Sequence, residues 1–354
     1  MPRSSKILSE NISEKRIGGC TLGGSLSVTA FISDAVTVVH APNGCTHQIF
    51  SMLHAFLLDS AAPRPAPIIS SNISDKDVVF GGETALAKAL DKAAAMHPAL
   101  IIVATSCVPE TIGDDCESVC KNHPSAENIV YLPTSGFIGG TAEDGENIAL
   151  TCLARRAKKA EPMPRTVAII GEKNLESEVE ENYAEVERLL DRLQIKVILR
   201  FCRNIEAKDI QKLGEAACFL IRDHRTLQAG REIVARFGRP CIQEFPRGFS
   251  GSIAFLQDVG RACGIPESEI CTAIDEERAY QKKMLEPFAD LRRCTVNLGI
   301  EPFEGTFAVA REIMQMLAMT ETHDGIPIKL PFYLPVGVSG TVKMLYLWRR
   351  EKRK

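Results

Sequence analysis

The strongest constraint in the chain is a pair of short, uninterrupted apolar runs, Asp34 to His40 (DAVTVVH) and Leu100 to Thr105 (LIIVAT). Runs of this length without polar alternation predict strands covered on both faces, as in parallel sheets. Ala41-Pro42-Asn43-Gly44 stops the first and Cys45 follows at once; Ser106-Cys107 follows the second. Two thiols are thereby placed just past the carboxyl ends of strands, where α/β folds carry their chemistry. A third, Cys20, lies ahead of the first run in the Gly-flanked stretch GGCTLGG.

The alternation continues. A run from Asn128 to Leu132 (NIVYL) ends in PTSGFIGGTAEDGENIA, a Gly-rich loop in which Gly139 and Gly140 permit close approach of backbone to a ligand. After the linker AEPMPR, four further runs (TVAIIG, KVILRF, CFLIRD and RPCIQEF) are separated by helical spacing. The pattern predicts an α/β fold of tandem Rossmann-like domains with parallel sheets and right-handed crossovers. Residues 1–160 form the first domain, 164–290 the second and 291–354 a partial third. The turn after the second domain's first strand has the single Gly171 and no GxGxxG, so a dinucleotide is not indicated. The third domain opens with CTVNLGIEPFEG, then loses the pattern in a tail with scattered Pro and Gly and no amphipathic helix. It reads as truncated, its first strand left without the strands that would bury it.

Charge is balanced, 42 Lys and Arg against 45 Asp and Glu, which gives no basic footprint for a nucleic acid. No apolar run approaches the roughly 20 residues of a membrane helix, and the amino terminus lacks the apolar core of a signal peptide. A soluble cytoplasmic protein is expected. The 12 cysteines are scattered, with no Cys-x-x-Cys pair, which supports neither a disulfide framework nor a zinc ribbon. Cys116 and Cys120, one helical turn apart, are expected to pack inward, as are Cys152, Cys202, Cys218, Cys241, Cys263, Cys271 and Cys294. Cys20, Cys45 and Cys107 have two readings: each alone is a small buried hydrophobe, whereas together at one sheet edge they hold an iron-sulfur cluster. Cys45 stands beside the start of a helix, a position that favours a thiolate. His47 and His54 on that helix read as surface or hydrogen-bonded side chains.

Several stretches in the same order resemble the nitrogenase component 1 superfamily: Gly19-Cys20, His40-Ala41-Pro42-Asn43-Gly44-Cys45, DKDVVFGG from Asp75 to Gly82, Thr105-Ser106-Cys107, Gly113-Asp114-Asp115 and Gly136-Phe137-Ile138-Gly139. The intervals of 25 and 62 residues between the three cysteines are similar to the family's. The resemblance covers residues 15 to about 310 and is most specific in the first domain. It implies Cys20, Cys45 and Cys107 as metal ligands, with Gly44 and Gly139 in the cofactor-binding loops. The group held would be an iron-sulfur cluster, either [4Fe-4S] or P-cluster-like [8Fe-7S], at the boundary of a homodimer or of a heteromer with another component 1-type subunit. An ATP-dependent iron protein would deliver low-potential electrons. The chain has no GxxxxGK[ST] loop, so nucleotide chemistry would belong to that partner. Neither a nucleic acid nor a membrane is an expected partner.

Where the dinitrogen-reducing subunit has a cysteine on its active-site cofactor, the resemblance places Asp223, and where it has a nearby histidine, Asn147. Its second protein ligand would lie in the third domain. A hard carboxylate is a poor replacement for a thiolate on a soft cluster, which argues against dinitrogen reduction. Three readings follow. The first is a nitrogenase-like reductase of another substrate, such as a tetrapyrrole, with Asp223, His224 and Arg225 as catalytic acid or anion-binding groups; for these residues a surface turn is the competing reading. The second is a cofactor-assembly scaffold. The third is a non-catalytic, degenerate homologue.

Overall fold

The computed structural model describes residues 19–59, 65–137, 140–176, 178–222, 224–302, 305–331 and 336–353. Two compact units divide the chain: residues 1–163, 168–179 and 198–239 make one, and 164–167, 180–197 and 240–354 the other. Among the described residues, no helix is long and apolar enough to cross a membrane.

In the first unit, β1 (Ala35–His40), β2 (Ile68–Ser70), β3 (Leu100–Thr105) and β4 (Ile129–Leu132) form a sheet in the order β2-β1-β3-β4. Every pairing in it is parallel. All residues of β1 and β3 are buried, as two covered faces demand. The register sets His40 opposite Thr105, so the chain leaves both strands at one level.

The sheet's helices are α1 (Thr21–Thr29), α2 (Asn43–Asp59), α3 (Asp75–Phe80), α4 (Glu83–Ala94), α5 (Cys107–Ile112), α6 (Cys116–Asn122) and α7 (Ala142–Ala154). On α4, Leu86, Ala89, Leu90 and Ala93 recur at three and four residues and pack with Val36, Val38, Ile101 and Val103. Cys116 and Cys120 of α6 join this core as expected, and burial pushes both thiols up to about 12. At that value they stay protonated and apolar at neutral pH. The start of α7 is set by a capping box in which Thr141 and Asp144 satisfy each other's backbone N–H groups.

The first unit also contains β7 (Ala216–Ile221) and the carboxyl-terminal parts of β5 (Met163–Ile170) and β6 (Lys196–Phe201), with β5 between the other two. Helix α8 (Val179–Asp191), which follows β5, lies mostly in the second unit, and α9 (Leu227–Phe237), which follows β7, in the first.

The second unit holds the short β8 (Cys241–Ile242) and four further helices: α10 (Gly248–Ala262), α11 (Glu267–Leu285), α12 (Thr306–Met316) and α13 (Gly337–Lys352). Here the structure corrects two sequence expectations. First, β9 (Thr295–Asn297) does have partners: β10 (Thr320–Glu321) and β11 (Ile326–Pro327) pair with it in parallel, one on each side. Two-residue strands are too short to give a periodic signal. Second, the tail contains the 16-residue helix α13, with Val338, Thr341, Val342, Leu345 and Trp348 buried. A glycine and a threonine interrupt its apolar stripe, and its start is fixed from far away in sequence. Glu185 on α8 accepts the Val338 N–H at 2.7 Å and the Ser339 hydroxyl at 2.8 Å, placing negative charge at the positive end of the helix.

Of the other cysteines, Cys202 and Cys218 are buried, and Cys152, Cys241, Cys263 and Cys294 partly so. Cys271 is exposed, contrary to expectation, because it lies one position off the buried stripe of α11 that runs through Ile270, Ala273 and Glu277.

Candidate functional site

Three helix starts bring the thiols together. Cys20 is the N-cap of α1, Cys45 lies in the first turn of α2, and Cys107 is the first residue of α5. All three line one cavity of about 470 Å³, together with Ser106, Thr134, Gly136, Glu146 and the apolar Leu22, Ile49, Met52 and Leu175. Helix starts carry unpaired N–H groups and a positive dipole end, so each thiol stands where negative charge is favoured. Burial raises the Cys45 thiol above its ordinary value, and the proximity of Cys20 and Cys107 raises it further. A bound cation would offset that cost at Cys45.

Among the described residues, no group of three or more His, Cys, Asp or Glu side chains could hold a single metal ion. The donors that share the cavity are thiols, the ligand type that iron-sulfur groups take. The hydroxyl of Ser106, which lines the cavity next to Cys107, is buried without a hydrogen-bond partner. Buried polar atoms of this kind mark a place built for another group.

Behind the cavity stands a polar network that joins three of the sequence stretches singled out above. His40 is fully buried; its Nδ1 is 2.8 Å from Ser71 Oγ and its Nε2 is 3.1 Å from Asp114 Oδ2. Asp114 Oδ1 accepts the Gly82 N–H at 2.8 Å. A Cβ on Gly82 would stand 2.5 Å from Asp114 Oδ2 and 3.2 Å from His40 Cε1, so only glycine fits between them. Burial holds the His40 imidazole below its ordinary value, although the hydrogen bond and charge of Asp114 pull the other way.

The remaining predicted residues lie elsewhere. Gly44 is exposed beside Cys45, and a Cβ there would meet nothing within 4 Å, so crowding does not require glycine. Gly139 and Asp223 fall outside the described residues. His224 is exposed on a short turn, His224–Thr226, and neither it nor Arg225 lines the thiol cavity. Arg225 donates to Glu176 at 2.9 Å, and Arg222 to the same carboxylate at 3.1 Å. Asn147 is buried; its Nδ2 donates to the carbonyls of Glu143 and Arg225 at 2.8 and 2.7 Å, and its Oδ1 accepts the Ala229 N–H at 2.8 Å. It braces α7 against the turn and the start of α9. His47 and His54 are exposed, as expected. Sequence reasoning missed Glu146, the one carboxylate on the cavity wall among the described residues, which pairs with the buried Lys173. The capping box was the available signal: it starts α7 at Ala142, one turn before Glu146, and both residues line the cavity.

Residues 20–315 match the family described as nitrogenase component 1 type oxidoreductase. The chain belongs to that family. Among the curated relatives of this component 1-type chain is the nitrogenase iron-molybdenum cofactor biosynthesis protein NifE of Nostoc sp., 27% identical over 77% of this chain and 57% of its own length. The NifE of Methanosarcina barkeri is 31% identical over 57% of this chain and 46% of its own. The nitrogenase molybdenum-iron protein alpha chain of the same organism is 24% identical over 76% and 52%. The component 1-type chain thus spans about half the length of the curated relatives it matches. In fold it is similar to the solved structure "Nitrogenase Cp1 at pH 5", with a TM-score of 0.66 at 22% identity over 86% of this chain and 63% of that one.

Proposed function

We propose that this chain is a nitrogenase-like component 1 subunit that holds an iron-sulfur cluster through Cys20, Cys45 and Cys107. In this reading it takes low-potential electrons from an ATP-dependent iron protein and passes them to a bound substrate other than dinitrogen. The observation that carries the reading is the convergence of these three thiols, each at a helix start, on one cavity. A [4Fe-4S] cluster takes four thiolates, so three from one chain call for a further ligand from a second subunit, identical or related. The exposure of Cys20 agrees with a site at such a boundary.

When bound, the cluster supplies one-electron redox chemistry at low potential. The chain's own residues hold and insulate it: the helix starts offset the negative charge of the thiolates, and Leu22, Ile49 and Met52 keep water from the cavity wall. Glu146, ion-paired with the buried Lys173, is the carboxylate on that wall among the described residues. Val79 and Phe80 of α3 are 73% and 79% exposed on a helix that packs against α5, giving a docking protein an apolar contact close to Cys107.

A second reading is a cofactor-assembly scaffold, favoured by the similarity to NifE proteins. Anaerobic purification with iron and sulfide analysis tests what the readings share: a chain that carries neither element, natively or after reconstitution, removes both. Turnover of a candidate substrate with the cognate iron protein supports the reductase, whereas transfer of an intact cluster to an acceptor without turnover supports the scaffold.

A further inference from the structure

We propose that the His40 side chain is a positioning residue that fixes Cys107 against Cys45, an inference that rests on reading these thiols as one binding site. The segment carrying Cys107 is α5, six residues long. A helix of one and a half turns has little stability of its own, so ties at its two ends set its direction. At its start, the Ser106 N–H donates to the His40 carbonyl at 3.0 Å. Beyond its far end, Asp114 turns back through its N–H to the Pro109 carbonyl at 3.0 Å, and its carboxylate meets His40 Nε2. One residue thus grips both ends of the Cys107 helix.

The same imidazole reaches the Cys45 segment. Ser71 Oγ accepts the Ala41 N–H at 3.2 Å, which leaves its own proton for His40 Nδ1 at 2.8 Å. With Nδ1 accepting, Nε2 carries the ring proton and donates to Asp114, so the network selects one neutral tautomer. Ala41 opens the turn that leads to Cys45, whose N–H donates to the Pro42 carbonyl at 3.2 Å. Asp114, Glu83 and Asp77 are the acidic groups that act on the ring. Backbone bonds alone would register the strands; the ring adds the link that stops α5 from pivoting on its first residue.

The test uses the full chain purified anaerobically without iron, and dibromobimane, which bridges two neighbouring thiols. Mass spectrometry of the digested protein measures the peptide in which Cys45 and Cys107 are joined. H40F and D114N should each lower the bridged yield about five-fold, while H40Q, which keeps a donor near the Nε2 position, retains most of it. Wild-type yield in both H40F and D114N would overturn the proposal, as would a loss in H40Q equal to that in H40F. Should H40F fail to fold, the isosteric D114N decides alone. Imidazole-dependent bridging in a protein that takes up no iron would support the positioning role and count against the cluster reading, so the two fail separately.

Discussion

Gly24 on α1 lies directly against the backbone of Ala142 on α7: a methyl group on Gly24 would fall 1.8 Å from the Ala142 carbonyl oxygen. Gly145 returns the contact, its Cβ position lying 1.8 Å from the Thr21 carbonyl. The two helices touch through their peptide groups, and Cys20 caps one of them. Backbone cannot yield as a side-chain tip can, so G24A and G145A should each destabilise the chain by about 3 kcal/mol, at the upper end of overpacking costs. Urea unfolding measures this, and an unchanged midpoint would show that α1 and α7 shift apart freely.

Alanine at Cys20, Cys45 or Cys107 should abolish or sharply reduce bound iron after anaerobic reconstitution. C116A, in the α4 core where burial keeps the thiol protonated, should leave iron content unchanged and cost about 1 kcal/mol of stability. Iron per chain in the four variants is the measurement. Equal iron in C107A and wild type would remove Cys107 from the ligand set.

His40 gives a pH dependence with a defined sign. Its folded value lies below the ordinary 6.5, so below pH 6.5 the unfolded chain binds the proton more readily than the folded one. This contribution is fully present above pH 6.5 and is lost as pH falls through the lower folded value. Wild type should therefore lose stability on acidification just below pH 6.5 more steeply than H40Q, as read from denaturant midpoints across that range. Parallel pH profiles would mean that the ring takes up its proton in the fold at no cost.

In the second unit, Glu277 is fully buried and accepts from Arg188 Nη1 at 2.7 Å and Arg192 Nε at 2.8 Å. E277A strips two guanidinium groups of a shared buried partner and should cost about 3 kcal/mol. W348A, which opens a cavity in the core that α13 closes, should cost about 4 kcal/mol. Thermal unfolding checks both, and a W348A protein as stable as wild type would show that α13 does not hold this core.

What was legible in the sequence follows from how local each signal is. The runs at Val36–Val39 and Ile101–Ala104 declared their strands because a strand buried on both faces needs only nearby apolar residues. The thiols that follow could be placed at the sheet's edge for the same reason. Helix α13 was not legible, because Glu185, about 150 residues away, sets its start, and Gly340 and Thr341 thin its stripe. Asn147 stands where the resemblance has a cofactor-facing histidine, yet its amide is taken up by Glu143 one turn back and by Arg225 and Ala229, which only the fold brings near. The capping box places Glu146 one turn into α7, but that it faces the cavity depends on how α1 packs against α7. The role of Gly82 is likewise not local, since nothing in DKDVVFGG says that an imidazole and a carboxylate meet across it.

The pairing of His40 with Thr105 has an evolutionary corollary. Cys45 and Cys107, 62 positions apart in sequence, each follow a strand, and the two strands lie side by side, so insertions or deletions in the loops between the strands need not separate the two thiols. A slip of one residue between β1 and β3 would have the opposite effect, turning every buried side chain of one strand over and carrying its thiol out of line. Loops between these strands can therefore change length without moving either thiol, whereas the alignment of the strands cannot shift.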